Sequence, residues 1–132
     1  MIIDQKLLDE LSAQAKGNPR LRQNYDLRTS SEDGSQRMLN ALAMGTVLPV
    51  HRHTKTTETV VMLRGKLRED FYNDNGEVTA SFILKAGGEA PALQIPAGQW
   101  HSLEVLEEGT VLFEAKDGSY EPLAEEDVMS RI

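Results

Sequence analysis

The sequence predicts a mainly β fold, an antiparallel jelly roll of two packed sheets that follows a single N-terminal helix. Two observations support this fold class. Residues 4–16 carry apolar side chains at helical spacing, whereas from Ser35 onward short apolar runs are separated by turn signals. The chain has 132 residues, which suits one domain. We expect it to consist of a helix with a connecting segment, 1–34, and a barrel with a C-terminal tail, 35–132.

The N-terminal helix is predicted from its cap, its apolar side and its stop signal. Asp4 is placed to cap the first turn, and the run Gly17-Asn18-Pro19 ends the helix. The apolar side consists of Leu7, Leu8, Leu11 and Ala15.

The strands are predicted from alternation and from turns. Asn75-Gly76 tolerates positive φ and predicts a hairpin, and the strand after it alternates from Val78 to Leu84. Residues 59–63 are apolar on both faces, which indicates a strand covered on its outer side by the helix or by a second subunit. Residues 122–129 are predicted to form a short terminal helix.

Composition excludes several classes of site and partner. The chain has no cysteine, so disulfides, iron-sulfur clusters and cysteine nucleophiles are excluded, and any metal must bind nitrogen and oxygen. The formal net charge of -7 opposes binding to nucleic acid or to an anionic membrane, and favours a small-molecule ligand. The acidic N-terminus does not resemble a secretory signal, so we expect a cytoplasmic protein.

Three histidines and one glutamate form the candidate metal site. On a strand, residues two apart point to the same face, so the imidazoles of His51 and His53 can converge. Glu58 follows a polar stretch that can turn the chain, and His101 follows the turn signal of residues 96–98. A lone histidine is more often a surface residue, but this combination favours a metal. Three imidazoles and a carboxylate suit Zn, Fe, Mn, Ni, Co or Cu better than Ca or Mg.

The same residues resemble the two sequence motifs of cupins. The first motif is matched at every position and every spacing by Gly45, His51, His53, Glu58 and Gly65. The second motif is matched at Pro96, Gly98 and His101, but seven residues instead of five separate Gly88 from Pro96, and Val105 holds the position of an asparagine. The resemblance implies a single-domain cupin jelly roll, a double-stranded β-helix, with one divalent metal ion. Neither departure affects a ligand.

Nearly the whole chain is similar to the WbuC family of small cupin metalloproteins, including its flanks RLRQNYDLR and FEAKDGSYEPL. This resemblance implies a bacterial setting of surface-polysaccharide (O-antigen) biosynthesis. Together with residues 59–63, it also implies a homodimer.

Other polar residues are weaker candidates for the site. Arg37, Asn40 and Tyr120 are candidate ligand contacts, although Arg37 and Asn40 have opposite parity and cannot both face inward without a bulge. Trp100 has the parity opposite to His101 and is interpreted as an outer-face packing residue. Ser102 does not make a hydrolase, because its neighbour His101 points to the other face.

Two functions remain open from the sequence. The first is a metal-dependent enzyme, an isomerase, epimerase or oxygenase acting on a carbohydrate or sugar nucleotide with the metal as Lewis acid. The second is a metal-dependent small-molecule binding module without turnover. We favour the enzyme, because four protein ligands leave positions open at the metal.

Overall fold

The computed structural model describes residues 1–129. One N-terminal helix is followed by strands that form two antiparallel sheets, which confirms the predicted fold class. The last three residues of the predicted barrel segment, 130–132, lie outside the described residues. The elements in chain order are α1 (Gln5–Gly17), β1 (Arg22–Asp26), β2 (Ser35–Leu42), β3 (Glu58–Arg64), β4 (Lys66–Tyr72), β5 (Val78–Lys85), β6 (Ala92–Ile95), β7 (Trp100–Val105), β8 (Thr110–Asp117) and a 3-10 helix, Glu125–Asp127.

The two sheets enclose the main core. One sheet has the strand order β1-β2-β8-β3-β6, and the other has the order β5-β4-β7. Inward and outward side chains alternate along strands such as β3, where Glu58, Val60 and Met62 are buried, as expected for a sandwich. The buried apolar residues of this core are Leu42, Val60, Met62, Leu67, Leu84, Ile95, Val105 and Leu112.

A second core lies between α1 and the outer face of the five-stranded sheet. Asp4 caps the helix by accepting a hydrogen bond from the Leu7 amide at 3.0 Å, as predicted. The helix buries Leu8, Leu11 and Ala15. Leu63 of β3 packs against this cluster, so the helix covers part of the doubly apolar segment 59–63. Among the described residues, no helix has the length and apolar character needed to cross a bilayer.

The segment predicted as a connector contains a strand. β1 forms the edge of the five-stranded sheet and pairs with β2, with Asn24 opposite Asn40. Its sequence is RQNYD, in which no apolar alternation marks a strand. The segment 1–34 thus contains β1 in addition to the helix, and this edge strand takes its conformation from pairing with β2.

The hairpin prediction is confirmed. β4 and β5 pair antiparallel, and the Asn73 amide donates to the Glu77 carbonyl across the turn. Gly76 has a φ of 80°, which a glycine adopts without strain. The predicted terminal helix, residues 122–129, is shorter than expected. Within this range only Glu125–Asp127 is helical, and it forms a 3-10 turn.

Candidate metal centre

Backbone pairing brings the first histidine against the third. His51 lies before β3 in an isolated bridge to His101 of β7, with backbone hydrogen bonds of 2.8 and 3.1 Å in the two directions. On its other side His51 pairs with Val128 of the C-terminal segment, and the Met129 amide donates to the Val50 carbonyl. The segment that carries His51 is thus fixed by β7 and by the C-terminal segment.

The three imidazoles form one cluster. The ring centroids of His51 and His101 lie 4.3 Å apart, and that of His53 lies 5.2 Å from His51 and 6.1 Å from His101. One nitrogen of each ring can be chosen so that all three lie within 4.8 Å of one another. Glu58, the first residue of β3, places a carboxylate oxygen 4.0 Å from the Nε2 atom of His101. The structure therefore brings together all four residues that the motifs predict.

Hydrogen bonds at Nδ1 orient two of the rings. The Nδ1 atom of His101 lies 2.7 Å from a carboxylate oxygen of Glu69, and the Nδ1 atom of His51 lies 3.0 Å from the Pro49 carbonyl. The Nε2 atom of His101 is buried, and no protein group among residues 1–129 forms a hydrogen bond with it. A buried polar atom without a partner is costly, so this nitrogen is free among the described residues to bind a ligand. The donor set of three imidazoles and a carboxylate fits a transition metal ion.

Burial makes these histidines weak bases. Loss of solvent lowers the pKa of His51 and of His101 to about 4, and lowers that of His53 to about 3. Proximity to His101 lowers the pKa of His51 further. All three are therefore neutral near pH 7, which is the form that binds a metal.

Burial raises the pKa of two carboxyl groups of the site, whereas it lowers that of the histidines. Burial raises the pKa of Glu58 well above its ordinary value, and the adjacent Glu114 raises it further. Burial likewise raises the pKa of Glu69, followed by the effect of the Asp70 charge. A cation in this position would compensate for the buried negative charge.

The histidines line a cavity of about 210 Å³ that is open to solvent on one side. Its wall combines an apolar part with charged and amide groups, which is typical of a small-molecule site. Apart from the four candidate ligands, its polar residues are Arg22, Asn24, Asn40, Glu69, Ser102, Glu114, Lys116 and Tyr120.

The weaker sequence candidates divide between the cavity and the outside. Asn40 and Tyr120 line the cavity. Arg37 has the opposite parity and lies outside it, where its guanidinium donates to Asp33 at 3.0 Å and to the Leu27 carbonyl. We therefore leave Arg37 out of the proposed site. Trp100 is buried on the side away from His101 and donates its indole N–H to Asp74.

Sequence reasoning did not identify several residues of the cavity. Arg22 and Asn24 were missed because β1 was not predicted. Glu69 lies between the inward residues Leu67 and Phe71 on β4, and Glu114 follows Leu112 by two residues on β8. Strand parity was the available signal, but charged residues on a strand are more often exposed to solvent.

Several solved structures, among them a cupin domain, share the fold of this chain. The Cnp3 cupin domain of Schizosaccharomyces pombe aligns with a TM-score of 0.59 and 15% identity, over 74% of this chain and 64% of that one. KdgF from Halomonas sp. aligns with a TM-score of 0.61 and 13% identity, over 76% and 82% of the two chains. The capsular polysaccharide assembling protein CapF from Staphylococcus aureus aligns with a TM-score of 0.68 and 19% identity, over 85% and 32%. At these identities the likeness shows a shared cupin fold.

This chain spans about a third of the length of CapF and somewhat less than two thirds of the Cnp3 domain. A comparison with curated proteins finds no match. A sequence model of one protein family, described as "Domain of unknown function (DUF6016)", matches residues 3–84, from the start of the helix region to the end of β5. That match covers more than half of the sequence, and the chain therefore belongs to the DUF6016 family.

Proposed function

We propose that the protein binds one divalent transition metal ion through His51, His53, Glu58 and His101, and uses it to act on a carbohydrate or sugar-nucleotide intermediate. The observation that carries the metal proposal is the buried Nε2 atom of His101, which lacks a protein partner among the described residues and lies beside the other ligands. When bound, such an ion supplies a Lewis acid that polarises a ligand oxygen.

The cavity wall supports a ligand with hydroxyl groups. Asn40 donates its amide N–H to Glu114 at 3.3 Å, and its carbonyl oxygen is buried without a partner among the described residues. A ligand hydroxyl could donate a hydrogen bond to that oxygen and so offset the free-energy cost of burying it without a partner. Asn24 lies opposite Asn40 and lines the same cavity, so a second amide is available for a neighbouring hydroxyl.

Two cations in the wall support a ligand that also carries an acid group. Lys116 lies opposite Glu58 in the pairing of β3 with β8, next to the proposed metal. Arg22 also lines the cavity, and one of its N–H groups donates to the Val47 carbonyl at 3.1 Å. Either cation could bind a phosphate or carboxylate of a sugar derivative.

The biological setting is proposed from resemblance. The similarity to WbuC proteins suggests surface-polysaccharide (O-antigen) biosynthesis, and CapF, which shares the fold, is described as a capsular polysaccharide assembling protein. From this resemblance and from residues 59–63 we propose a homodimer, and we place it in the cytoplasm. The formal net charge of -7 supports a protein that binds neither nucleic acid nor membrane.

Turnover separates an enzyme from a binding module. An enzyme requires a group that can move a proton near the ligand, and Glu114 places a carboxyl in the cavity beside Glu58. The sequence alone could not select this residue. The alternative function, a metal-dependent binding module without turnover, needs only the cavity and the metal.

The test compares conversion of candidate sugar nucleotides by metal-loaded wild-type protein and by the Glu58→Gln variant, followed by NMR and mass spectrometry. Glu58 is the only anionic ligand proposed, so its loss should change the Lewis acidity of the metal and reduce the rate strongly, on the order of 10-fold or more, at equal metal content. Glu89→Gln, an exposed carboxylate in the turn before β6, is the matched control and should retain the wild-type rate. Tight binding without conversion in every metal form, with oxygen present, would favour the binding module.

A further inference from the structure

A buried carboxylate lies directly behind one of the proposed metal ligands. Glu69 is only 3% exposed and places an oxygen 2.7 Å from the Nδ1 atom of His101, which is itself 4% exposed. No other hydrogen-bond partner of the Glu69 side chain is found within residues 1–129. The contact is therefore specific to the His101 ring.

The sheet explains how this contact is fixed. Glu69 is on the central strand of the three-stranded sheet, where Phe71 is paired with His101 and Glu69 with Leu103. These side chains point into the barrel, and both strands are held by continuous pairing. Neither residue needs to move for the hydrogen bond to form.

We infer that Glu69 is a positioning residue of the metal site, which holds the His101 ring by its Nδ1 atom and so presents Nε2 to the metal. This inference rests on the proposed metal centre. A metal ion bound at Nε2 favours the ionised form of Glu69. An imidazole whose Nδ1–H donates to that carboxylate has its lone pair on Nε2 and is a stronger ligand, because the carboxylate raises its basicity. His51 shows the same arrangement, with the Pro49 carbonyl near its Nδ1 atom.

The neighbouring acid on the same strand provides a matched control. Asp70 is also buried, but it faces the outer side of the sheet and accepts hydrogen bonds from Arg68 and Ser81. A purely structural effect of losing a buried carboxylate from β4 should appear in an Asp70→Asn variant. Loss of ligand positioning should appear only when Glu69 is changed.

The experiment measures Zn²⁺ affinity by competition with a chelator in the wild type and in the Glu69→Leu, Glu69→Gln and Asp70→Asn variants. We expect Glu69→Leu to weaken affinity about 10- to 100-fold, the range typical of a lost partner of a metal-bound histidine. Glu69→Gln keeps the length and a hydrogen-bond acceptor, so it should recover part of the loss. Asp70→Asn should stay within about 2-fold of the wild type, because Asp70 does not contact His101 and loss of its charge only makes ionisation of Glu69 easier.

Histidine ring NMR on each protein gives a readout that does not depend on activity. In the wild type and in Asp70→Asn, the proton shared between Glu69 and the Nδ1 atom of His101 should appear far downfield and exchange slowly, with and without Zn²⁺. In Glu69→Leu it should be absent. Wild-type affinity in a folded Glu69→Leu variant would overturn the inference and leave the metal centre intact. A wild-type protein that binds no Zn²⁺ would overturn both, even if the metal-free spectrum showed the contact.

Discussion

At the scale of single residues, burial determines the charge of the site. The three histidines are held neutral by loss of solvent, which lowers their pKa, and the same cause raises the pKa of Glu58 and Glu69 and favours their protonated form. A bound cation would lower the pKa of these two carboxyl groups again, because it favours the ionised carboxylates that surround it. The site is therefore electrostatically suited to a metal ion.

The metal-free protein is predicted to lose stability from its histidines as the pH falls from about 6.5 to about 4. A histidine in the unfolded chain has a pKa near ~6.5, whereas the pKa of folded His51 and His101 is about 4. In this window the histidines of the unfolded state bind more protons than those of the folded state, so their contribution to the free energy of unfolding decreases as pH decreases. Urea unfolding at several pH values checks this.

The triple variant His51→Gln, His53→Gln and His101→Gln is compared with the wild type. Its free energy of unfolding should depend less on pH in this window than that of the wild type. The raised pKa of Glu58 and of Glu69 acts with the opposite sign, because these groups bind more protons when folded, at pH values above about 4.5. Parallel curves for the two proteins would show that the histidines are not held neutral in the folded state.

At the scale of elements, the barrel places the ligands by means of turns and pairings. The turn between β3 and β4 consists of Gly65, whose φ of 84° is strained for any other residue. The backbone of Thr110 packs against it, so a Cβ atom at this position would lie 2.7 Å from the Thr110 Cα atom and even closer to its hydroxyl oxygen. Only glycine fits between β3 and β8 at this point.

The Gly65→Ala variant is therefore predicted to be destabilised by about 2–5 kcal/mol, the sum of backbone strain and a steric clash. Gly87→Ala is the matched control, because Gly87 has a φ of 71° but an alanine methyl group there would have no other atom within 4 Å. The Gly87→Ala variant should lose only about 1–2 kcal/mol of stability, because backbone strain is its one source of destabilisation. Chemical denaturation of both variants measures the difference. Equal losses would mean that Thr110 moves away from Gly65 at little cost.

At the scale of the whole molecule, the proposed metal site lies where the two sheets meet. Glu58 belongs to the five-stranded sheet and His101 to the three-stranded sheet, while His51 joins β7 to the C-terminal segment. The apolar core holds the sheets together through residues such as Met62 and Leu67. The packing of the two sheets thus also brings the proposed ligands together.

Much of this arrangement could be predicted from the sequence because strong local signals mark it. The helix has a cap and an apolar side, the hairpin has Asn75-Gly76, and the four proposed ligands have the motif spacing of cupins. β1 could not be predicted, because an edge strand of polar residues takes its conformation from pairing with β2. Glu69 could not be assigned to His101, because their contact depends on the register between β4 and β7.

The most direct test of the central claim is the metal content of purified protein after loading and dialysis, measured by elemental analysis. The wild type is predicted to retain close to one transition metal ion per chain, because three neutral imidazoles and Glu58 converge in one cavity. The His51→Ala and His101→Ala variants should each lose most of it, and the double variant should retain almost none. A double variant that kept stoichiometric metal would contradict this assignment of the site.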